Sequence, residues 1–200
     1  MKKIITIGRQ FGSGGREVGQ KVAQALHIAY YDKELLAVAA KKSGLSSQFM
    51  NTYDEKPTRS FLYSLVMGQQ GLFPDSAETT VEQLAANAQR DAILAVAGEG
   101  SCVIVGRCAD HVLRNELGLL RVFLTADHGD RIQRICRRDS VTTAEAEEKL
   151  QRMDRSRAAY YRFRCDQTWG AAANYDLCIN VSRWGVDAAV ETIVERCSRS

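Results

Sequence analysis

Residues 8–17 read Gly8-Arg9-Gln10-Phe11-Gly12-Ser13-Gly14-Gly15-Arg16-Glu17. Four glycines around one hydroxyl, with Arg16 at a helix start, suit one kind of chemistry, the grip of an anion by main-chain amides. Glycine lets the backbone turn tightly and bring its N–H groups against a ligand. A helix that opens at such a loop adds unpaired N–H groups and the positive end of its dipole.

The usual phosphate-loop pattern G-x-x-x-x-G-K-[ST] places a Lys on the β- and γ-phosphates and a hydroxyl on Mg2+. With Gly14 as its second glycine, Gly15 stands where the Lys belongs and Arg16 where the hydroxyl belongs. Arg16 is a candidate for the missing charge. Ser13, the only hydroxyl in the loop, is a candidate Mg2+ ligand, and Glu17 and Asp32 are the others, directly or through water. The N–H groups of Ser13 to Arg16 are the expected phosphate contacts. The plain alternative is a glycine-rich turn that binds nothing.

Two further positions fit the same chemistry. Asp32 ends a short strand-like run, Ile28-Ala29-Tyr30-Tyr31, and Arg107 follows the apolar run Cys102-Val103-Ile104-Val105-Gly106. In open parallel sheets, ligands bind at the carboxyl ends of the strands. Asp32 either meets a ligand there or caps the next helix, Lys33–Lys42, and the two roles are compatible. Arg107 either meets an anion or is a surface residue paired with Asp110 or Glu99.

A third region is dense in arginine. Thr125-Ala126-Asp127 opens a helix bearing Arg131, Arg134, Arg137 and Arg138. Thr142 and Glu145 form a capping-box pattern at the start of the next helix. That helix carries Arg152, Asp154, Arg155, Arg157, Arg162 and Arg164. Arginines on two helices joined by a short turn make either solvated faces or a lid for phosphate oxygens.

The elements that must position these groups alternate regularly. Ile4-Ile5-Thr6-Ile7 predicts the first strand, and Val18, Val22, Ala25 and Leu26 mark one side of the helix after the loop. A long amphipathic helix is predicted from Glu78 to Gly98, then the strand at 102–105, a helix His111–Leu117 and a strand Leu119–Leu124. Tyr175–Asn180 reads as the last strand and Val186–Cys197 as the closing helix. Residues 44–76 are less regular and read as an insertion that covers a site or forms a partner surface. Five strands interleaved with helices predict a parallel, doubly wound sheet. The loops holding Gly12–Glu17, Asp32 and Arg107 then lie on one edge.

The bulk numbers narrow the class. The chain has 200 residues, 45% hydrophobic and 26% charged, which fits one globular domain. No apolar run approaches membrane-spanning length and no cleavable apolar leader is visible, so a cytoplasmic protein is expected. A net charge of +3 does not by itself argue for nucleic acid. The basic stretch is interleaved with Glu145, Glu147, Glu148, Asp154 and Asp166, which weighs against a polyanion-binding module. The six cysteines are scattered without a C-x-x-C, so neither zinc nor a disulfide framework is indicated. Cys102 and Cys178, in apolar runs, are expected to be buried thiols. The three histidines are too dispersed for a metal site or a triad.

Several of these segments together resemble the cytidylate kinase-like family. They are Gly8–Glu17, Tyr31-Asp32-Lys33-Glu34-Leu35, Val105-Gly106-Arg107-Cys108-Ala109-Asp110, Asp154-x-x-Arg157-Ala158-x-Tyr160-Tyr161 and Tyr175–Asn180. The resemblance runs nearly end to end, and the first segment is its most specific part. It implies a three-layer α/β P-loop NTPase fold with a five-stranded parallel sheet. The whole chain, 1–200, would be one domain, with an acceptor-side insertion at 44–76 and an arginine-rich helical lid at 127–165.

The implied activity is transfer of the ATP γ-phosphate to CMP, dCMP or a related nucleoside monophosphate, with Mg2+. By resemblance, Gly12, Ser13, Gly14, Gly15, Arg16 and Glu17 hold the ATP phosphates. Asp32 contacts the acceptor nucleotide and Arg107 its phosphate, although Cys108 follows where the family has Asp. Asp154 and Arg157 match a catalytic lid pair, and Arg131 and Arg134 add lid charge by position. Partners are a small-molecule phosphate acceptor, with no nucleic acid and no membrane, and any homodimer contact is expected at 44–76. The second reading is a nucleotide-binding regulatory protein that kept the fold and lost catalysis.

Overall fold

The computed structural model describes residues 2–32 and 81–199. The predicted helix Lys33–Lys42, the insertion at 44–76 and the first residues of the predicted helix Glu78–Gly98 lie outside the described residues.

Five strands form one sheet. They are β1 (Ile4–Arg9), β2 (Ala29–Tyr31), β3 (Cys102–Val105), β4 (Leu119–Thr125) and β5 (Leu177–Asn180). The order is β2-β3-β1-β4-β5, and every pairing is parallel. Parallel strands covered on both faces read as continuous apolar runs. β1 and β3, inside the sheet, obey this: Ile4, Ile5, Ile7 and all four residues of β3 have no exposure.

The helices are α1 (Gly15–Leu26), α2 (Val81–Glu99), α3 (Ala109–Val112), α4 (His128–Asp139), α5 (Thr143–Cys165), α6 (Val181–Trp184) and α7 (Val186–Ser198). A 3-10 turn at Ala172–Asn174 precedes β5. One face of the sheet packs Ile4 and Ile104 against Ala92, Ile93 and Val96 of α2. The other packs Ile5, Ile7 and Val122 against Val18 and Val22 of α1 and Ala189 and Ile193 of α7. Three layers result, as the alternating pattern requires. No helix among the described residues is long and apolar enough to cross a membrane.

A third cluster lies over the carboxyl edge of the sheet. Phe11 of the glycine loop sits among Ile132 and Ile135 of α4 and Ala146 and Leu150 of α5. The capping box forms as predicted. The Thr142 hydroxyl accepts from the Glu145 N–H, and the Glu145 carboxylate accepts from the Thr142 N–H at 2.8 Å. The two arginine-bearing helices are therefore packed onto the loop by its one aromatic residue.

Three expectations are corrected. Cys178 is exposed, because β5 is the edge strand and its inward side chain is Ile179; Cys102 is fully buried as expected. Ala25 faces solvent on α1 while Ala23 is buried. The predicted helix His111–Leu117 is instead the short α3. Arg107 and Cys108 take left-handed conformations that start it at Ala109, and Leu113 leaves helical geometry. Leu113 is the apolar anchor at 1% exposure, whereas Leu117, at 88%, has nothing to pack on.

Candidate active site

The carboxyl ends of β1, β2 and β3 bring the predicted residues to one edge of the sheet. At the end of β1 the chain turns through Gly12 (φ 77°) and Gly14 (φ 87°), conformations that side chains with a Cβ rarely adopt. Gly14 caps α1, and the first bond of that helix runs from the Val18 N–H to the Gly14 carbonyl at 3.0 Å. The N–H groups before Val18 have no carbonyl one turn back, which is what a helix start offers an anion. Ser13 differs from the expectation for its amide: its N–H closes a turn onto the Gln10 carbonyl at 3.3 Å. The amides at this helix start are thus those of Gly14, Gly15, Arg16 and Glu17. The Ser13 hydroxyl is fully buried and has no hydrogen-bond partner among the described residues.

The loop backbone is fixed from α4 and α5. Arg157 donates from Nη1 to the Arg9 carbonyl at 3.1 Å, and Arg131 from Nε to the Phe11 carbonyl at 2.8 Å. Arg134 Nη1 reaches the Gly12 carbonyl at 2.7 Å. The Phe11 N–H donates to Asp154 Oδ1 at 2.8 Å, and the other Asp154 oxygen accepts from Arg131 Nη2. Three guanidinium groups thereby hold the negative ends of loop peptides. The guanidinium carbons of Arg138 and Arg157 also lie 4.8 and 5.5 Å from the centre of the Phe11 ring.

This geometry divides the arginine-rich span. Arg134 and Arg157 face both the loop and a groove of about 850 Å³ beside it. Arg131 and Asp154 are not on that groove; they face each other and the loop, with Arg131 6% exposed. The structure therefore makes them clamps of the loop backbone and does not place Arg131 against an acceptor. Asp154→Ala removes the acceptor for both Phe11 N–H and Arg131. Because it leaves a buried guanidinium without its carboxylate, it is expected to cost about 3–5 kcal/mol in urea unfolding. Asp154→Asn, which keeps one oxygen, should cost clearly less.

Asp32 lines the groove and is buried. Arg16 donates from Nε to its Oδ2 at 3.0 Å, while Arg9 Nη2 and Arg107 Nη2 lie 3.8 and 4.0 Å from its Oδ1. Arg107 also donates from Nε to the Asp32 carbonyl at 3.3 Å. It is 4% exposed, so the reading of Arg107 as a surface residue is excluded. Burial, with Arg9 nearby, lowers its pKa to about 10, so it still carries its charge at neutral pH. Glu17 is exposed on the first turn of α1, 3.6 Å from Lys21 Nζ.

Eight cationic side chains line the groove against three carboxylates, a surplus that only a polyanion would neutralise. Arg137 and Arg138 contribute to it from the last turn of α4, and Lys149 from α5. Asp139 in that turn accepts from Lys149 at 2.6 Å and from Arg138 at 2.7 Å, which holds its carboxyl well below the usual range.

A smaller cavity adjoins the groove behind Arg9, Arg107 and Arg157. There Tyr161 donates to Asp110 Oδ2 at 2.6 Å, and burial raises the Asp110 pKa. Tyr160 donates to Gln89 of α2 at 2.6 Å. Sequence reasoning missed Arg9 and Phe11 as parts of the site. Their signals were present: a charged residue ending a buried strand and a lone aromatic among glycines.

Comparison with known proteins bears on this arrangement. A cytidylate kinase from Methanopyrus kandleri is 24% identical over 96% of this chain and 95% of its own. The crystal structure of an uncharacterized protein from Eubacterium ventriosum superposes with a TM-score of 0.74 at 27% identity, with both chains covered completely. Shikimate kinase from Bacteroides thetaiotaomicron shares the fold, with a TM-score of 0.55, 15% identity and 99% of each chain covered. The profile of the cytidylate kinase-like family matches residues 4–183, and with the glycine loop, Asp32 and Arg107 gathered on the edge of a five-stranded parallel sheet, this chain belongs to that family.

Proposed function

We propose that the protein is an ATP-dependent phosphotransferase whose acceptor is a nucleoside monophosphate, with CMP and dCMP as the first candidates. The observation that carries this reading is a groove lined both by a helix-start amide cradle and by a buried arginine. Gly14–Arg16, Asp32 and Arg107 all line it, and its walls are strongly cationic. Phosphoryl transfer needs positioning and charge neutralisation more than covalent help.

In this reading the amides of Gly14, Gly15 and Arg16 bind the β- and γ-phosphate oxygens of ATP. Arg107, held against Asp32, orients the phosphate of the acceptor. Arg134, Arg137, Arg138 and Lys149 neutralise the transferring group from the side of α4 and α5 and narrow its access to water. Arg131, Asp154 and Arg157 keep the loop backbone in place.

The buried Ser13 hydroxyl fits a Mg2+ bound by one protein oxygen, with phosphate oxygens and water as its other ligands. Asp32, faced by three arginines, fits a metal less well. When bound, Mg2+ neutralises charge on the phosphates.

The test is ADP release from Mg·ATP with a panel of nucleoside monophosphates, sugars and other small acceptors. Turnover on a monophosphate, fastest with CMP or dCMP, is expected. Turnover confined to a non-nucleotide acceptor would overturn the substrate assignment. The second reading, a nucleotide-binding regulator, is favoured by one observation, the glycine at position 15 in place of lysine. It predicts tight Mg·ATP binding with no turnover on any acceptor.

A further inference from the structure

We infer that Arg9 supplies the positive charge of the absent phosphate-loop lysine, from the opposite wall of the cradle; its ligand, a nucleoside triphosphate, rests on the phosphotransferase reading. In the spacing G-x-x-x-x-G-K-[ST] with Gly14 as the second glycine, the first glycine falls at position 9 and the lysine at position 15. This chain has Arg9 and Gly15 there. Charge and glycine have changed places.

The structure gives the exchange a steric reason. A Cβ built on Gly15 would lie 2.7 Å from Arg9 Cβ and 2.8 Å from its Cγ. The stem of Arg9 fills the space that a side chain at position 15 needs, so only one of the two positions can carry one. Arg9 ends β1 in register with Leu124 of β4, and Arg157 holds its carbonyl. Both ends of its peptide environment are therefore fixed.

Its side chain is 12% exposed and lines the groove and the smaller cavity alike. The guanidinium thus stands 3.8 Å from Asp32 in the groove that Gly14–Arg16 and Arg107 also line. Arg16, the other candidate, has a side chain 54% exposed and turned onto Asp32. A guanidinium fork can hold two oxygens at once, where an ammonium is a point charge.

The test is calorimetry of wild type, Arg9→Gln, Arg9→Lys, Gly15→Lys and the double variant Arg9→Gly/Gly15→Lys. The ligands are the Mg2+ complexes of AMP, ADP and a non-hydrolysable ATP analogue, and melting curves confirm folding. Arg9→Gln is expected to lose about 30-fold or more for the ATP analogue, less for ADP and little for AMP. Arg9→Lys, which keeps stem and charge, should retain part of the affinity. Gly15→Lys alone should bind poorly, because it collides with Arg9, and the double variant should recover most of the loss.

An equal loss for all three nucleotides in Arg9→Gln would mean a merely structural role and overturn the inference. So would a double variant that binds no better than Arg9→Gln. A graded loss with no turnover on any acceptor would uphold Arg9 while the phosphotransferase reading falls. Turnover that survives Arg9→Gln undiminished would do the reverse.

Discussion

Gly14→Val is expected to abolish nucleotide binding, with a loss of at least about 100-fold in Mg·ATP affinity, about 2.7 kcal/mol. The cause is backbone conformation more than contact with a wall. Gly14 sits at φ 87°, ψ 5°, where a β-branched residue is a steric outlier. Such strain costs of order 1–3 kcal/mol and is relieved only if the loop changes shape. Any such change moves the amides of Gly14, Gly15 and Arg16 off their common target. A Cβ at this position would be 3.4 Å from Arg134 Cζ, an ordinary contact, so the backbone conformation carries the cost. Gly14→Ala should fall between wild type and valine. Calorimetry decides the matter, and unchanged affinity in a folded Gly14→Val protein would mean that the loop is not the cradle.

Arg107→Ala should raise the KM for the acceptor by about 30-fold to 5,000-fold, the roughly 2–5 kcal/mol typical of a buried charge partner, and leave ATP affinity within about threefold. The asymmetry follows from position. Arg107 follows β3 and is held on the Asp32 carbonyl, whereas the amides assigned to ATP open α1 after β1. Asp32 keeps Arg16 and Arg9 in the variant, so the fold on that side retains its counter-charge. The dependence on pH has a definite sign. Arg107 binds an anion only while protonated, so acceptor affinity should be flat through neutrality and fall as pH rises through about 10. In Arg107→Ala that alkaline limb should disappear. Equal effects on acceptor and ATP would remove Arg107 from its assigned end of the site.

Much of the frame was legible in one dimension. β1 and β3 announce themselves as apolar runs because both of their faces are covered, and the capping box at Thr142 and Glu145 is a local bond pattern that spacing alone predicts. The glycines at 12 and 14 mark positive φ, which the backbone requires whatever packs around it. The parallel sheet follows from strands alternating with helices, and with it the shared edge that gathers the loop, Asp32 and Arg107. These features depend on neighbours in sequence or on a period, so one sequence is enough to reveal them.

The rest was decided by contacts between residues far apart in the chain. Composition could not tell that Arg131 and Asp154 would face the backbone of Phe11 when Arg134, three residues on, lines the groove; helix rotation against a packed aromatic determines that. Cys178 lies in an apolar run, yet it is exposed because β5 is the edge of the sheet, and edge position belongs to the strand order. The short reach of α3 depended on left-handed turns at Arg107 and Cys108 that no periodicity shows. Sequence by itself determined the sheet, the glycine loop and the kind of charge beside it. Only the tertiary structure decided which cation meets which oxygen, because a long side chain takes its direction from whatever fills the space next to it, as the stem of Arg9 does against Gly15.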